Sequence, residues 1–413
     1  MSVRATHLFG LIAAAGIGTG TIVSAPKDTS PSPRELTAHE WGTFTTVAGE
    51  NGTAIDWLPL GGPSDLPCFV EHFQNKATIK IAPEYTGGPV IDYEKARSSL
   101  LGRVRMETPV LYFYGGQDTT LNVKVRFPHG LMTEWYPHAN VNEMIIGPNT
   151  LKQNNPAATI EWSNVRLTPR ATPNFSGGDG ASHYYAARAT EASPLSVGDQ
   201  RERFLFYRGV ADFDASISAA ALQNGRVRIG KTGRDDVAGV ILFERRGNTI
   251  GFRVLGTVHG DTTVDAPALD GSLPALRDQI ASSLTAAGLW PREAAAMLET
   301  WRDSWFEEGT RVFYIVPSRA VDAILPLEIR PVPNNVKRVF VGRMEVITQT
   351  TESAVQRALA TNDGATLARY ARFLGPITDR LTAKMPSVSE RDRVRSATNA
   401  ALAAYLKKAT LCE

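Results

Sequence analysis

From Trp41 to Val258 the chain is written in short apolar or alternating runs, cut every dozen or so residues by Gly, Pro or Asn. In LNVKVRF, Leu121, Val123, Val125 and Phe127 fall on one side and Asn122, Lys124 and Arg126 on the other. A period of two is that of a β-strand with one wet face, so this half of the chain is committed to antiparallel sheet.

The clearest strands by this reading are 43–47, 78–82, 105–115, 121–127, 159–167, SHYYAARA at 182–189, and 203–210, followed by 225–230, 238–246 and 249–258. GGQDTT predicts a hairpin joining 105–115 to 121–127. Asn51-Gly52 marks another, and Arg246-Gly247-Asn248 a third. Residues 259–272, with three aspartates, Pro267 and Gly271, read as a linker loop. At 273–308 the period changes. Leu276, Ile280 and Leu284 recur four apart, Gly288 punctuates, Pro291 opens a second helix carrying Met297, Trp301 and Trp305, and Gly309 is placed to cap it. Strands return at 310–317, 325–331 and 338–348, which suggests a sheet completed by distant segments. SVSE at 387–390 is a capping box within a helical tail. The expected class is α+β, mainly antiparallel and β-sandwich-like, with helices at 273–308 and a helical C-terminal tail. The expected divisions are 37–260, 261–350 and 351–413.

Residues 1–25 carry Arg4, an apolar run and the small-residue end Val23-Ser24-Ala25, the order of a secretory signal. Pro26 disfavours cleavage after Ala25, so a retained anchor is the alternative. Residues 26–36 read as a flexible leader, and no later segment is apolar and long enough to span a bilayer. The expected location is periplasmic or extracellular. There, Cys68 and Cys412 either pair across the mature chain or remain two thiols. Hydrophobic residues at 43% and charged residues at 21% describe a chain with a full core. The net charge of +2, spread without basic blocks, argues against nucleic acid as a partner.

Imidazole with carboxylate is the usual ligand set for zinc or harder divalent ions. His39, Glu40, His72, Glu134, His138 and His183 are the candidate ligands, although neither HExxH nor HxH occurs. In HEWGTF a strand would put His39 and Trp41 on one face and Glu40 and Phe44 on the other, so the adjacent pair cannot share an ion. Gly42 suits a place where a ring or backbone packs close. Trp135, Tyr136, His138, His183 and Tyr185 are the candidate ligand-binding residues, on strand faces rich in aromatic and His/Glu side chains. GxSxG and GxGxxG motifs are absent from the sequence, which gives acyl chemistry at a nucleophile elbow and dinucleotide binding little support. Glu307 and Glu308 read as exposed or as partners of Arg311.

AHEWGTFT, PSDLPCFVE, METPVLYFY, TEWYP and RDSWFEEGTRVFYIVP resemble an uncharacterised group of secreted bacterial proteins. The resemblance covers most of the mature chain and implies export and a bacterial origin. It carries no catalytic residue. The leading expectation is an exported protein that binds a carbohydrate or cell-envelope component without a cofactor. A metal-dependent hydrolase using a divalent ion is one alternative. An envelope scaffold that oligomerises through its C-terminal helices is the other.

Overall fold

The computed structural model describes residues 35–61, 65–73, 79–81, 99–142, 144–146, 149–153, 156–177 and 182–406. The expected signal, the leader up to residue 34, and Cys412, and with it the choice between a Cys68–Cys412 pair and two thiols, lie outside the described residues. The chain from Pro31 onward forms one compact unit.

The longer strands of the main sheet are β1 (Thr37–Ala48), β2 (Val104–Tyr114), β3 (Thr119–Pro128), β4 (Gly130–Tyr136), β5 (Ala157–Leu167), β6 (Phe204–Ala211), β7 (Val237–Arg246), β8 (Thr249–Val258), β9 (Gly309–Ile315) and β10 (Asn335–Val346). Every residue of β1 is buried, which requires a neighbour on each edge and cover on each face. The edges are taken by β2, antiparallel, and by β10, parallel. Across the sheet the order runs β5, β4, β6, β2, β1, β10, β9, β7, β8, so the strands that return after the helices enter the same sheet beside the first one. Apart from β1 with β10, and one residue pair between β4 and β5, these pairings are antiparallel. The protein is a mixed α+β fold with a large, mostly antiparallel sheet and a C-terminal helical segment.

One expected pairing and one expected strand come out differently. β2 and β3 do not form a hairpin: both edges of β2 are occupied, by β1 and β6, while β3 pairs with β5 and with residues 327–330. Residues 182–189 are not a strand but a 3-10 helix, His183–Arg188. The hydroxyl of Ser182 accepts the Tyr184 amide at 3.2 Å, and Tyr184 and Ala187, three apart, turn to the core. The hairpin of β7 and β8 forms as expected. The linker contains a further short strand, Thr262–Val264, paired to residues 227–229.

Helix α1 (Leu273–Ala287) starts at Ser272, whose hydroxyl accepts the Ala275 amide, and buries Leu276, Ile280 and Leu284. Helix α2 (Pro291–Thr300) stops short of the expected 308. Its end tightens as the Arg302 amide bonds to the Glu299 carbonyl three residues back. Gly309 opens β9 rather than capping a helix. The tail folds as α3 (Gln349–Thr361), α4 (Gly364–Arg369), α5 (Leu374–Ala383) and α6 (Val388–Leu406). At the start of α6, Ser387 accepts the Glu390 amide at 3.3 Å. Val394, Ala397, Ala401 and Leu402 of α6 pack onto the body of the protein.

Alternation sorts the core. Trp41, Tyr112, Phe206, Phe243, Phe313 and Val341 point to one face, where Leu276, Ile280, Met297 and Trp305 cover them. Ala38, Phe44, Leu111, Leu205, Leu242 and Phe340 point to the other and share a cluster with β3 and β5 residues. Gly42 sits where the sequence placed a close approach: a Cβ there would lie 2.7 Å from the Phe340 ring and 3.1 Å from the Pro109 backbone. Gly42→Ala is therefore expected to destabilise the fold by about 1–3 kcal/mol. Gly375→Ala, with nothing within 4 Å of its added methyl, is expected to change stability by less than about 0.5 kcal/mol. Chemical denaturation of both variants checks the pair.

Candidate functional site

The side chains of β1 that face α1 and α2 change character along the strand. His39 and Trp41 are followed by Thr43 and Thr45, and then by Val47, which belongs to a separate apolar cluster under the C-terminal helices. Its neighbours do the same. β2 carries Arg105 and Glu107 before the bulge that leads to Val110 and Tyr112, β10 carries Arg343 and Glu345 between Val341 and Ile347, and β9 carries Arg311 before Phe313. The register sets Arg105, Thr45 and Arg343 side by side on three adjacent strands. A buried belt of charge thus crosses the sheet between two apolar clusters.

Each charge in the belt is met by another. Glu107 accepts from Thr45 at 3.0 Å and pairs with Arg105 at 3.1 Å and Arg372 at 2.8 Å. Arg372, between α4 and α5, reaches Glu307 at 3.2 Å, and Glu307 pairs with Arg343 at 2.7 Å. Arg311 pairs with Glu345 at 2.9 Å and donates to the backbone carbonyls of Trp305 and Glu308. Glu307 is therefore held by Arg343 and Arg372 rather than by Arg311. Burial alone would raise the Glu107 carboxyl, but the guanidiniums of Arg372, Arg105, Arg343 and Arg208 outweigh it and hold it at about 2. Burial and the neighbouring Arg311 push Arg343 down to about 10.

A cavity of about 190 Å³ opens at the edge of this belt. Its floor is Arg105, Glu107 and Thr108 of β2, with Arg208 of β6 beside them. Asp65, His183 and Tyr184 form one wall, Trp301, Asp303, Ser304 and Glu307 another, and Arg372 and Tyr405 come from the C-terminal segment. Thr108 has φ +46°, a strained conformation for a β-branched residue that costs about 1–3 kcal/mol. Its hydroxyl accepts from Nε and Nη2 of Arg208 at 3.3 and 3.2 Å. Among the described residues, Nη1 of Arg208, Nε1 of Trp301 and Oγ of Ser304 are buried without a hydrogen-bond partner. At the mouth, His183 stands between Asp303, 2.8 Å from Nε2, and Asp65, 3.6 Å from Nδ1.

The candidate residues from the sequence are spread over three places. His39, on the α1 and α2 face of β1, meets Glu293 at 2.8 Å, and Glu293 also accepts from Tyr114 and the Trp290 amide. Glu40, on the opposite face, is held by Arg338 at 2.6 Å and by Tyr207. The adjacent pair thus divides between two faces, as the alternation requires. His72 stands opposite Glu134 on the short strand Glu71–His72, next to Glu71, which takes His138 at 2.8 Å and the indole of Trp135 at 2.9 Å. Trp135 and Tyr136 are buried in the two clusters on either side of the sheet. Because β4 ends at Tyr136, His138 does not continue a strand face with Glu134 and Tyr136. Tyr185 packs under Arg188, whose guanidinium carbon lies 4.8 Å from its ring centre. Of the candidates, His183 alone lines the cavity. Among the described residues no group of three or more His, Cys, Asp or Glu side chains is placed to hold a metal ion, and no helix is long and apolar enough to cross a membrane.

Sequence reasoning missed Arg105, Glu107, Arg208, Arg343 and Arg372. A signal was present: in RVRMETP and GRMEV the charges fall at alternate positions inside otherwise apolar strands. In addition, PSDLPCFVE, METPVLYFY and RDSWFEEG, far apart in sequence, all contribute to the cavity wall.

No family model matches the chain, and no curated protein does. Among solved structures the chain is similar to the Fcho1 Mu homology domain of Danio rerio with bound Eps15 peptide. The two are 8% identical, and the match covers 77% of this chain and 99% of that one at a TM-score of 0.29. A likeness that faint carries no argument about this protein.

The belt predicts an acid dependence with a definite sign. The folded-state value of Glu107, about 2, lies below its ordinary 4.5. Its ionised form therefore contributes about 3 kcal/mol above pH 4.5, and this is lost as pH falls from 4.5 through 2. Glu107→Gln is expected to cost about 3–5 kcal/mol at neutral pH, because Arg105 and Arg372 lose a buried partner, and to flatten that acid limb. Urea denaturation between about pH 2.5 and 7 reads both effects.

Proposed function

We propose that the protein binds a small hydrophilic ligand in the cavity beside the charged belt, as an exported ligand-binding protein. The observation that carries this reading is the set of three buried donors, on Arg208, Trp301 and Ser304, that have no hydrogen-bond partner among the described residues and whose side chains line one cavity. A buried polar group left unsatisfied costs about 1–3 kcal/mol. Three around one space are accounted for by a ligand that completes their hydrogen bonds. The strained Thr108, which holds Arg208 in position, adds the kind of backbone cost found where geometry serves binding.

This reading keeps the ligand-binding class expected from the sequence and moves the site. Trp135 and Tyr136 belong to the core, whereas Trp301, expected as core packing, also lines the cavity. The metal-dependent reading draws no comparable support from the described geometry around His39, Glu40, His72, Glu134, His138 and His183.

The test is calorimetric titration of the full chain with a panel of small polyols, carboxylates, amino acids and phosphates. At least one class is expected to bind saturably. Arg208→Gln is expected to weaken it by about tenfold or more, the effect of losing a charge-assisted hydrogen bond. A folded protein that binds no member of the panel overturns the proposal.

A further inference from the structure

We infer that the groove between the short strand Leu327–Arg330 and the first half of β10 is a docking site for an extended peptide of another protein, apolar and acidic at alternate positions. Sheet topology is the first argument. Leu327–Arg330 pairs with β3, β3 with β5, and β5, through one residue pair, with β4. From β4 the order continues through β6, β2 and β1 to β10. Ile329, Val125, Ile160, Leu205, Ala38 and Phe340, from six of these strands, share one buried cluster. The strands thus surround a common core without closing on it. Leu327–Arg330 and β10 are separated by only four residues, 331–334, and yet do not pair with each other.

The open seam has two free lips. Leu327–Arg330 has β3 on one edge and no strand on the other. β10 carries β1 along one edge, whereas β9 covers the other only from Val341 to Glu345. Among the described residues no backbone hydrogen bond reaches the outer edge of 327–330, and on the β9 side of β10 the ladder ends at the Phe340 carbonyl, which accepts the Val316 amide at 2.8 Å. Both lips line one groove of about 860 Å³, together with Ser318 and Asp322 of the short helix Ser318–Ile324. It shares no lining residue with the cavity beside the belt. A strand laid in it meets backbone N–H and C=O groups on either side over about four or five residues, roughly 13–17 Å of extended chain.

Side chains set the chemistry of the guest. Val332, at 72%, is the most exposed large hydrophobic among the described residues, and Val336, at 46%, lines the same groove. They offer contact to apolar side chains, which share one face of an extended segment at every second residue. Arg338 is taken by Glu40 and Asp322, and Glu328 by Arg126. Arg330 and Lys337 line the groove, are exposed, and make no ion pair among the described residues. The surplus is positive and favours acidic side chains on the guest. It also disfavours a second copy of this chain, since a two-fold contact through the seam brings the same cations together.

The experiment is fluorescence anisotropy on the full chain with two pools of extended peptides of about seven residues, in which Val, Ile, Leu or Phe alternates with Glu in one pool and with Lys in the other. The Glu pool is expected to bind saturably and about tenfold or more tighter than the Lys pool. N-methylation of alternate backbone nitrogens is expected to weaken it by about tenfold or more whichever alternate set is methylated, because both edges of the guest are paired. At saturation, amide hydrogen exchange is expected to slow at residues 327–330 and 335–339. Arg330→Glu combined with Lys337→Glu, at exposed positions, is expected to invert the preference between pools. If that variant does not fold, the pools and the exchange map on the native chain decide. Equal binding of the pools, indifference to methylation, protection confined to other residues, or no binding at all overturns the proposal. Self-association of the chain alone that protects the same residues, read by sedimentation and exchange, assigns the seam to a second copy and overturns it as well.

Discussion

The buried pairing of arginine with carboxylate across the centre of the sheet is the constraint on which the rest of the structure hangs. Removing one charge from water costs several kcal/mol, and the cost is offset only when every partner is in place with good geometry. Glu107 is satisfied by groups from three elements, and Arg372 belongs to the C-terminal segment. The helices after β10 are thus fixed to the sheet through charge as well as through the apolar cluster around Val47 and Ile347. Apolar side chains at Arg105, Glu107, Arg343 and Glu345 would join the two apolar clusters into one. They would also remove the polar edge on which the cavity is built.

β1 supplies the second constraint. Its partners come from residues 104–114 on one side and 335–346 on the other, so the middle of the sheet cannot close until nearly the whole chain is available. The same topology assembles the cavity, whose wall draws on residues as far apart as Asp65 and Tyr405. Such a site has no local precursor. It exists only when the long-range pairings are made, and loop-closure entropy makes such pairings slow to form.

Alternation made the strands legible. The period of two in LNVKVRF and the four-residue spacing of Leu276, Ile280 and Leu284 report which residues face inward, and those faces are the ones observed. Alternation does not report partners, which is why β2 and β3 read as a hairpin although each takes different neighbours. A strand-like composition also failed at residues 182–189, where a local bond from Ser182 to the backbone favoured a 3-10 turn over a ladder. Most of the site was illegible for a related reason. A charged residue in an alternating strand is ordinarily read as solvent-facing, and only the tertiary pairing of Arg105, Glu107, Arg343 and Glu345 makes the inward charge tolerable.

The motif HEWGTF shows the difference between structural and functional use of the same residue types. His39 and Glu40 are matched side chain by side chain, the first by Glu293 and the second by Arg338 and Tyr207, in surroundings closed on both faces of the sheet. Their polar capacity is consumed by the fold. Arg208 is comparably buried, held by a strained threonine and ion-paired with Asp65 at 3.6 Å, yet its Nη1 has no hydrogen-bond partner among the described residues. Burial and charge are common to both cases. What separates them is unfilled hydrogen-bonding capacity next to open volume, and that quantity is set by side chains from distant segments. No single stretch of sequence contains it.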